Sequence, residues 1–172
     1  GEAYNGLQAK EFSANQLQFA NQHLRILSGL YGILRPLDLI QPYRLEMGTK
    51  FANKRGSNLY EFWRQKLTDY LNNELAQQKS ELIINLASEE YAKVIDRKKL
   101  NARIITPVFK NKKNGAYKTI MVYAKHARGA CANFIIKNNI TNIEGVKQFA
   151  KDFKFSPQLS AAEQDKLLFV DV

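Results

Sequence analysis

Apolar side chains recur at helical spacing in three parts of the chain. The first part follows Ser13, a helix-capping residue type, and predicts a helix that Gly29 ends. The second begins at Asn58, where a capping-box pattern precedes an apolar stripe, and predicts a helix over about 57–78. The third predicts a helix over 124–139. Helices therefore account for a large part of the expected fold.

Strand patterns lie between these helices. The apolar run 82–86 predicts a short buried strand. Asn114-Gly115, a pair typical of tight turns, predicts a β-hairpin with strands 103–110 and 117–124. Because Pro107 has no N–H to donate to a neighbouring strand, we expect a free edge there.

Two segments lack such a pattern. Glycines and prolines interrupt residues 28–48, yet apolar side chains continue throughout, so we expect an ordered, partly buried loop. A short strand around Tyr43–Met47 is expected to end it. The composition of Tyr4–Leu7 is typical of a turn.

A tight polar turn follows the 124–139 helix. Thr141 and Glu144 predict a further helix over about 142–150. Two helices joined in this way resemble a helix-hairpin-helix, and the free amides that begin the second helix are a ready phosphate site.

The 172 residues, of 19.7 kDa, suit one domain over 1–172. We predict an α/β (mixed α+β) fold with a mixed sheet, flanking helices, a β-hairpin and a helix-hairpin-helix-like element. The single cysteine, Cys131, excludes an internal disulfide, and two histidines are too few for a typical Cys/His zinc site. No apolar run reaches membrane-spanning length, so we expect a cytoplasmic protein. Because the chain does not begin with Met, we expect it to be a fragment of a longer protein.

Charge is distributed unevenly along the chain. Residues 1–90 hold 10 Lys+Arg and 10 Asp+Glu, whereas residues 91–172 hold 16 and 6, which places the whole net charge of +10 in the second part. Residues 97–143 contain 11 basic residues and no acidic one. Three interpretations remain open: a nucleic-acid partner, a solvated lysine-rich face, or a membrane surface.

The basic residues of the 124–139 helix fall on two flanks. Lys125 and Arg128 lie one turn apart on one flank, and His126, Asn133 and Lys137 line another. This spacing suits contacts with nucleic-acid phosphates.

Four lysines cluster around the hairpin turn, namely Lys110, Lys112, Lys113 and Lys118. They are typical of phosphate contacts, and equally of an edge strand protected against aggregation.

A second class of function is an enzyme that acts on an anionic small molecule. Polar residues that follow the 82–86 strand would line its cleft together with two arginines of the 28–48 loop and with Lys125 and Arg128. The possible cleft residues are Arg35, Arg44, Asn85, Ser88, Glu90 and Tyr91. No nucleophile triad, phosphate loop or cofactor motif supports a named reaction, so we predict no catalytic residue, cofactor or metal.

Several long segments together resemble the YaaA family of peroxide-stress proteins. They are YNGLQA (4–9), LSGLYGILRPLDLIQPYRLEMG (27–48), NLYEFW (58–63), INLASEEY (84–91), PVFKNKKNG (107–115) and YAKHARG (123–129). The resemblance implies a cytoplasmic protein that limits oxidative damage by lowering free iron, with a mixed α/β fold. It also implies a basic cleft and a helix-hairpin-helix that bind double-stranded or structured DNA. The family's N-terminal segment is expected to be missing from this chain.

The resemblance assigns DNA binding to Lys125, Arg128 and Lys137, and to the turn at Lys112 and Lys113. His126 stands where the family commonly has a second lysine. Direct iron binding is not expected, because iron sites need clustered carboxylates, histidines or cysteines. Any effect on iron is therefore expected to be indirect.

Overall fold

The computed structural model describes residues 1–172, which form two compact units. Unit 1 comprises Gly1–Ala20, Leu82–Leu86 and Ile104–Val172, and unit 2 comprises Asn21–Glu81 and Ala87–Arg103. Each unit has its own cluster of buried apolar side chains. The single domain that the sequence suggests stays a prediction.

Helices and strands alternate irregularly along the chain. The helices are α1 (Glu2–Leu7), α2 (Ala14–His23), α3 (Leu59–Gln78), α4 (Glu89–Ala92), α5 (Met121–Lys137), α6 (Ile143–Lys147) and α7 (Pro157–Ser160). The strands are β1 (Ile26–Ser28), β2 (Gly32–Leu34), β3 (Leu82–Ile84), β4 (Arg103–Lys113), β5 (Ala116–Lys118), β6 (Phe153–Phe155) and β7 (Lys166–Asp171). The predicted α/β class is confirmed.

Unit 1 is built on a mixed sheet in the order β3-β4-β7-β6, with β5 paired to the end of β4. β4 runs parallel to β7, and β6 runs antiparallel to β7. The side chains of β4 are alternately buried, as expected for a strand with a core on one face. Phe109 of β4 stacks on Phe169 of β7 at 5.3 Å between ring centroids, in the middle of the core.

Pro107 lies inside this sheet and not at its outer edge. The N–H of Thr106 donates to the Asp165 carbonyl on the β7 side at 2.9 Å, so alternation directs the Pro107 nitrogen toward β3. β3 ends at Ile84, whose neighbour Asn85 donates its N–H to the Ile105 carbonyl. The free edge predicted at Pro107 is therefore local, and it begins where β3 ends.

The predicted turn at Tyr4–Leu7 is wrong, because these residues belong to α1. α1 packs against α5 with almost no space between the two backbones, since a Cβ on Gly129 would overlap the Ala3 carbonyl. A Cβ on Gly6 would likewise overlap the His126 carbonyl. The small residues of α5 thus serve the approach of another protein helix.

The hairpin is confirmed in its turn and corrected in its second strand. Asn114 and Gly115 have φ of 53° and 78°, the left-handed region that this turn requires. β5 ends at Lys118, and α5 begins at Met121, so residues 121–124 are helical and not extended.

Unit 2 is organised around α3, which is confirmed close to its predicted bounds. Asn58 caps it by accepting the Glu61 N–H at 3.0 Å. Trp63 donates its indole N–H to the Gly29 carbonyl at 2.9 Å, and Met47 is fully buried beside it in the core.

The segment that precedes α3 departs from the prediction twice. The helix capped by Ser13 ends at His23 and not at Gly29, because Ile26–Leu34 forms the β1-β2 hairpin. No strand forms at Tyr43–Met47, where Leu45 and Met47 pack into the core of unit 2 without a strand partner.

Candidate nucleic-acid interface

The acid-free run 97–143 is divided between the two units. Residues 97–103 lie in unit 2, and residues 104–143 lie in unit 1. Unit 1 holds 12 Lys+Arg and 7 Asp+Glu, and unit 2 holds 14 and 9, so each unit has a net charge of +5. The imbalance along the chain therefore does not set the two units apart, and candidate contacts must be identified residue by residue.

The hairpin turn presents three lysines to solvent. Lys112, Lys113 and Lys118 are exposed, and no carboxylate pairs with any of their side chains. The backbone beneath them is fixed, since the Lys112 N–H donates to both carboxylate oxygens of Asp171, at 2.9 and 3.1 Å. Flexible cations are thus held on a defined loop.

Two further cations lie on α5. Lys125 is exposed and unpaired, one turn from Arg128. Arg128 is partly buried, and it forms no ion pair or hydrogen bond. Burial alone lowers the pKa of its guanidinium. A partly desolvated cation without a counter-ion is a costly arrangement that an incoming anion would relieve.

The other flank of α5 is engaged with the N-terminal residues of unit 1. Lys137 pairs with Glu11 at 3.2 Å, and His126 lies 3.6 Å from Glu2. Asn133 donates its side-chain N–H to the Leu7 carbonyl at 2.7 Å. All three predicted DNA contacts therefore have a visible structural role, and their part in DNA binding stays a prediction.

A cavity of about 250 Å³ lies beside this flank. Its lining is mixed, with amide side chains, two phenylalanines and two lysines. The lining includes Asn133, Phe134, Lys137, Asn138, Phe149 and Lys151.

The element that follows α5 is shorter than predicted. α6 has five residues, Ile143–Lys147, and its capping residue is Asn142 and not Thr141. The Asn142 side chain accepts the Gly145 N–H at 2.7 Å, so the amide that was expected to face a phosphate already has a partner. Glu144 pairs with Lys147 and not with the cap. A helix-hairpin-helix role for this element stays a prediction.

The two arginines of the possible cleft form ion pairs within unit 2. Arg35 contacts Glu74 at 2.8 Å, and hydrogen bonding to Tyr70 together with the charge of Glu74 raises its pKa. Arg44 lies 3.9 Å from Glu46, with 93% of its side chain exposed. The Arg35 pair therefore joins the loop to α3, and the exposed Arg44 pair lies within the loop.

The short helix α4 of unit 2 contains Glu90 and Tyr91, and Ser88 is its capping residue. The Glu90 carboxylate accepts the Gly48 N–H at 2.9 Å, and Ser88 caps the helix by accepting the Tyr91 N–H. Burial raises the pKa of the Tyr91 phenol. Asn85 lies in unit 1, where its side chain donates to Thr106 Oγ1 at 3.3 Å. An enzymatic role for this set stays a prediction.

The potential metal-ligating side chains are dispersed, and the single thiol is buried. No three His, Cys, Asp or Glu residues come together in a geometry that could hold a metal ion. Cys131 is buried in the unit 1 core, and burial raises the pKa of its thiol to about 12, so it stays protonated at neutral pH.

None of the helices combines the length and the apolar character needed to cross a membrane.

Sequence reasoning missed the exposed apolar residues next to the free lysines. Met121, Val122 and Tyr123 begin α5 and are all exposed, as is Tyr117 on β5. They were expected to alternate in a strand over 117–124. The interleaving of tyrosines with lysines in an acid-free run is the signal that indicates them.

Comparison with known proteins gives one consistent family. The family model described as "Peroxide stress protein YaaA" matches residues 1–159. A UPF0246 protein of Cellvibrio japonicus is 53% identical over 165 residues, which is 95% of this chain and 64% of that protein.

Two further relatives have the same kind of name. A UPF0246 protein of Pseudoalteromonas translucida is 51% identical over 172 residues, 99% of this chain and 66% of that protein. One of Neisseria gonorrhoeae is 56% identical over 149 residues, 87% of this chain and 58% of that protein. The chain thus spans about three fifths of the length of the curated relatives it matches.

Proposed function

Because the chain belongs to the YaaA family of peroxide-stress proteins, we propose that it acts in the peroxide-stress response as a cytoplasmic DNA-binding protein. The residues proposed to contact the DNA backbone are Lys112, Lys113, Lys125 and Arg128 of unit 1. The partner is double-stranded or structured DNA.

One observation carries this proposal. Arg128 is partly buried without any anionic or hydrogen-bonding partner, and the exposed Lys125 lies one turn away. A phosphate at this position would compensate the desolvated charge with charge-assisted hydrogen bonds. The unpaired lysines of the hairpin belong to the same acid-free run. They add further cations to a stretch without carboxylates, and this favours binding of a polyanion.

The proposed binding depends on the backbone and not on the base sequence. Backbone recognition needs lysines, arginines and main-chain amides, and it does not need side chains that read base edges. We therefore propose weak sequence specificity.

This function links the protein to oxidative damage through DNA. A protein that covers the backbone would shield it from iron-driven radicals without holding iron itself. We therefore propose that any effect of the protein on free intracellular iron is indirect.

The test is the salt dependence of duplex binding for the wild type and for Lys125→Ala/Arg128→Ala. Release of counter-ions gives a log–log slope of about −0.9 for each phosphate contact. Loss of two contacts is expected to flatten the slope by about two units, measured by fluorescence anisotropy across a salt series.

The matched control is Arg97→Ala/Lys98→Ala. These two exposed residues belong to the same acid-free run but lie in unit 2, and their removal changes the net charge by the same amount. The control is expected to keep the wild-type slope. Equal slopes for all three proteins would exclude Lys125 and Arg128 from the interface.

A further inference from the structure

The chain segment 112–125 of unit 1 is exposed along most of its length. Of its fourteen residues only Ile120 and Ala124 are covered. We call its exposed residues the 112–125 surface. It contains four unpaired lysines, two tyrosines and no acidic residue.

Aromatic rings on this surface face solvent. Tyr117 on β5 is 39% exposed, and Tyr123 in the first turn of α5 is 54% exposed. Neither ring stacks on another aromatic ring. Met121 and Val122 between them are about half exposed. Four such side chains within seven consecutive residues exceed the isolated exposed residues that are normal on a protein surface, and they favour a partner at this segment.

The lysines restrict the chemistry of that partner. Lys112, Lys118 and Lys125 alternate with the two tyrosines along the segment, and no carboxylate of the protein neutralises them. A polyanion with flat apolar faces matches this alternation, whereas an apolar protein segment would leave the ammonium groups without counter-charge.

Duplex DNA does not offer such faces, because its bases are stacked on one another and only their edges are open in the grooves. A single strand offers both phosphates and free base faces, and stacking of bases on aromatic side chains is the usual way in which proteins bind it.

We propose that Tyr117 and Tyr123 stack on unpaired bases, while the lysines of the 112–125 surface contact the phosphates of the same strand. This inference rests on the proposed function and narrows it, since the structured DNA that the protein prefers would contain unpaired nucleotides.

The experiment compares two probes of equal length, a labelled oligo(dT) strand of about 20 nucleotides and a duplex, by anisotropy at fixed moderate salt. The variants are Tyr117→Ala/Tyr123→Ala, and Tyr117→Phe/Tyr123→Phe as the matched control that keeps both rings. The alanine pair is expected to weaken single-strand binding about 100-fold, about tenfold for each ring, and duplex binding less than about threefold. The phenylalanine pair is expected to bind both probes within about threefold of the wild type.

The salt slope separates the two proposals. The alanine pair keeps every cation, so its single-strand slope is expected to equal that of the wild type. If the wild type binds duplex with a steep salt slope and the alanine pair binds both probes like the wild type, or loses both equally, the stacking proposal fails and the proposed function stands. If the wild type binds neither probe, both fail.

Discussion

The two units carry the same net charge, yet they differ in whether their candidate functional residues have a carboxylate partner. In unit 1, Lys125 and Arg128 have no carboxylate partner, whereas in unit 2 Arg35 is paired with Glu74 and Arg44 with Glu46. The Arg35 pair therefore joins its loop to α3, whereas Lys125 and Arg128 of α5 keep their charge without a carboxylate partner. Equal net charge therefore conceals a difference in which candidate cations already have a carboxylate partner.

Unit 1 contains the same contrast on a single helix. On α5, Lys137 is paired with Glu11 and Arg128 is unpaired, although both belong to the same acid-free run. A sequence motif alone would treat them alike.

The largest expected effect concerns the packing that presents α5. Gly129→Ala places a methyl group against the Ala3 carbonyl, so α1 must move away from α5. We expect a loss of about 3 kcal/mol or more in the free energy of unfolding, measured by urea denaturation. Gly1→Ala, where nothing lies within 4 Å of the added carbon, is the control and is expected to change less than about 0.5 kcal/mol. A Gly129→Ala protein of wild-type stability would contradict the close packing of the two helices.

The next effect tests the structural charges of unit 2. The Glu74 carboxylate is 12% exposed and bonds Arg25 at 3.0 Å as well as Arg35. Glu74→Gln leaves both guanidinium groups without a counter-charge, so we expect a loss of about 3 kcal/mol in stability. Glu46→Gln is the matched control, since its pair with Arg44 is exposed and worth less than about 1 kcal/mol. DNA binding is expected to be unchanged in both variants.

The pH dependence of stability sharpens the same prediction. Burial raises the pKa of Glu74, but the hydrogen bond and charge of Arg25 and the charge of Arg35 outweigh it, so the pKa lies below its ordinary value. Its contribution is therefore present at neutral pH and is lost as the pH falls through the folded-state pKa. Glu74→Gln is expected to show a flatter decline in acid than the wild type. Parallel pH profiles would contradict this assignment.

Local signals in the sequence explain what could be predicted of the fold. Caps act within one turn, so Ser13 and Asn58 place the starts of α2 and α3 correctly. The Asn114-Gly115 turn is equally local. Tyr4–Leu7 instead form a helix that packs against α5, more than a hundred residues away along the chain. No neighbouring residue in the sequence signals this helix.

The candidate site was predictable to a similar extent. The absence of acidic residues identified Lys125 and Arg128. Lys137 pairs with Glu11, which lies 126 residues earlier in the chain. A count of charges along the sequence cannot reveal such a tertiary contact. The exposure of Tyr123 depends on where β5 ends and α5 begins, a boundary that the predicted strand 117–124 placed wrongly.

The most direct test makes the same change in charge in each of the two units and compares the effects on DNA binding. Lys113→Glu/Lys125→Glu in unit 1 and Arg97→Glu/Lys98→Glu in unit 2 each replace two exposed cations of the acid-free run by two carboxylates. Salt-dependent duplex binding is measured for both by anisotropy. We expect the unit 1 variant to lose about two units of log–log slope or more, and the unit 2 variant to keep the wild-type slope. Equal losses in the two variants would show that net charge alone governs binding, and would contradict the account.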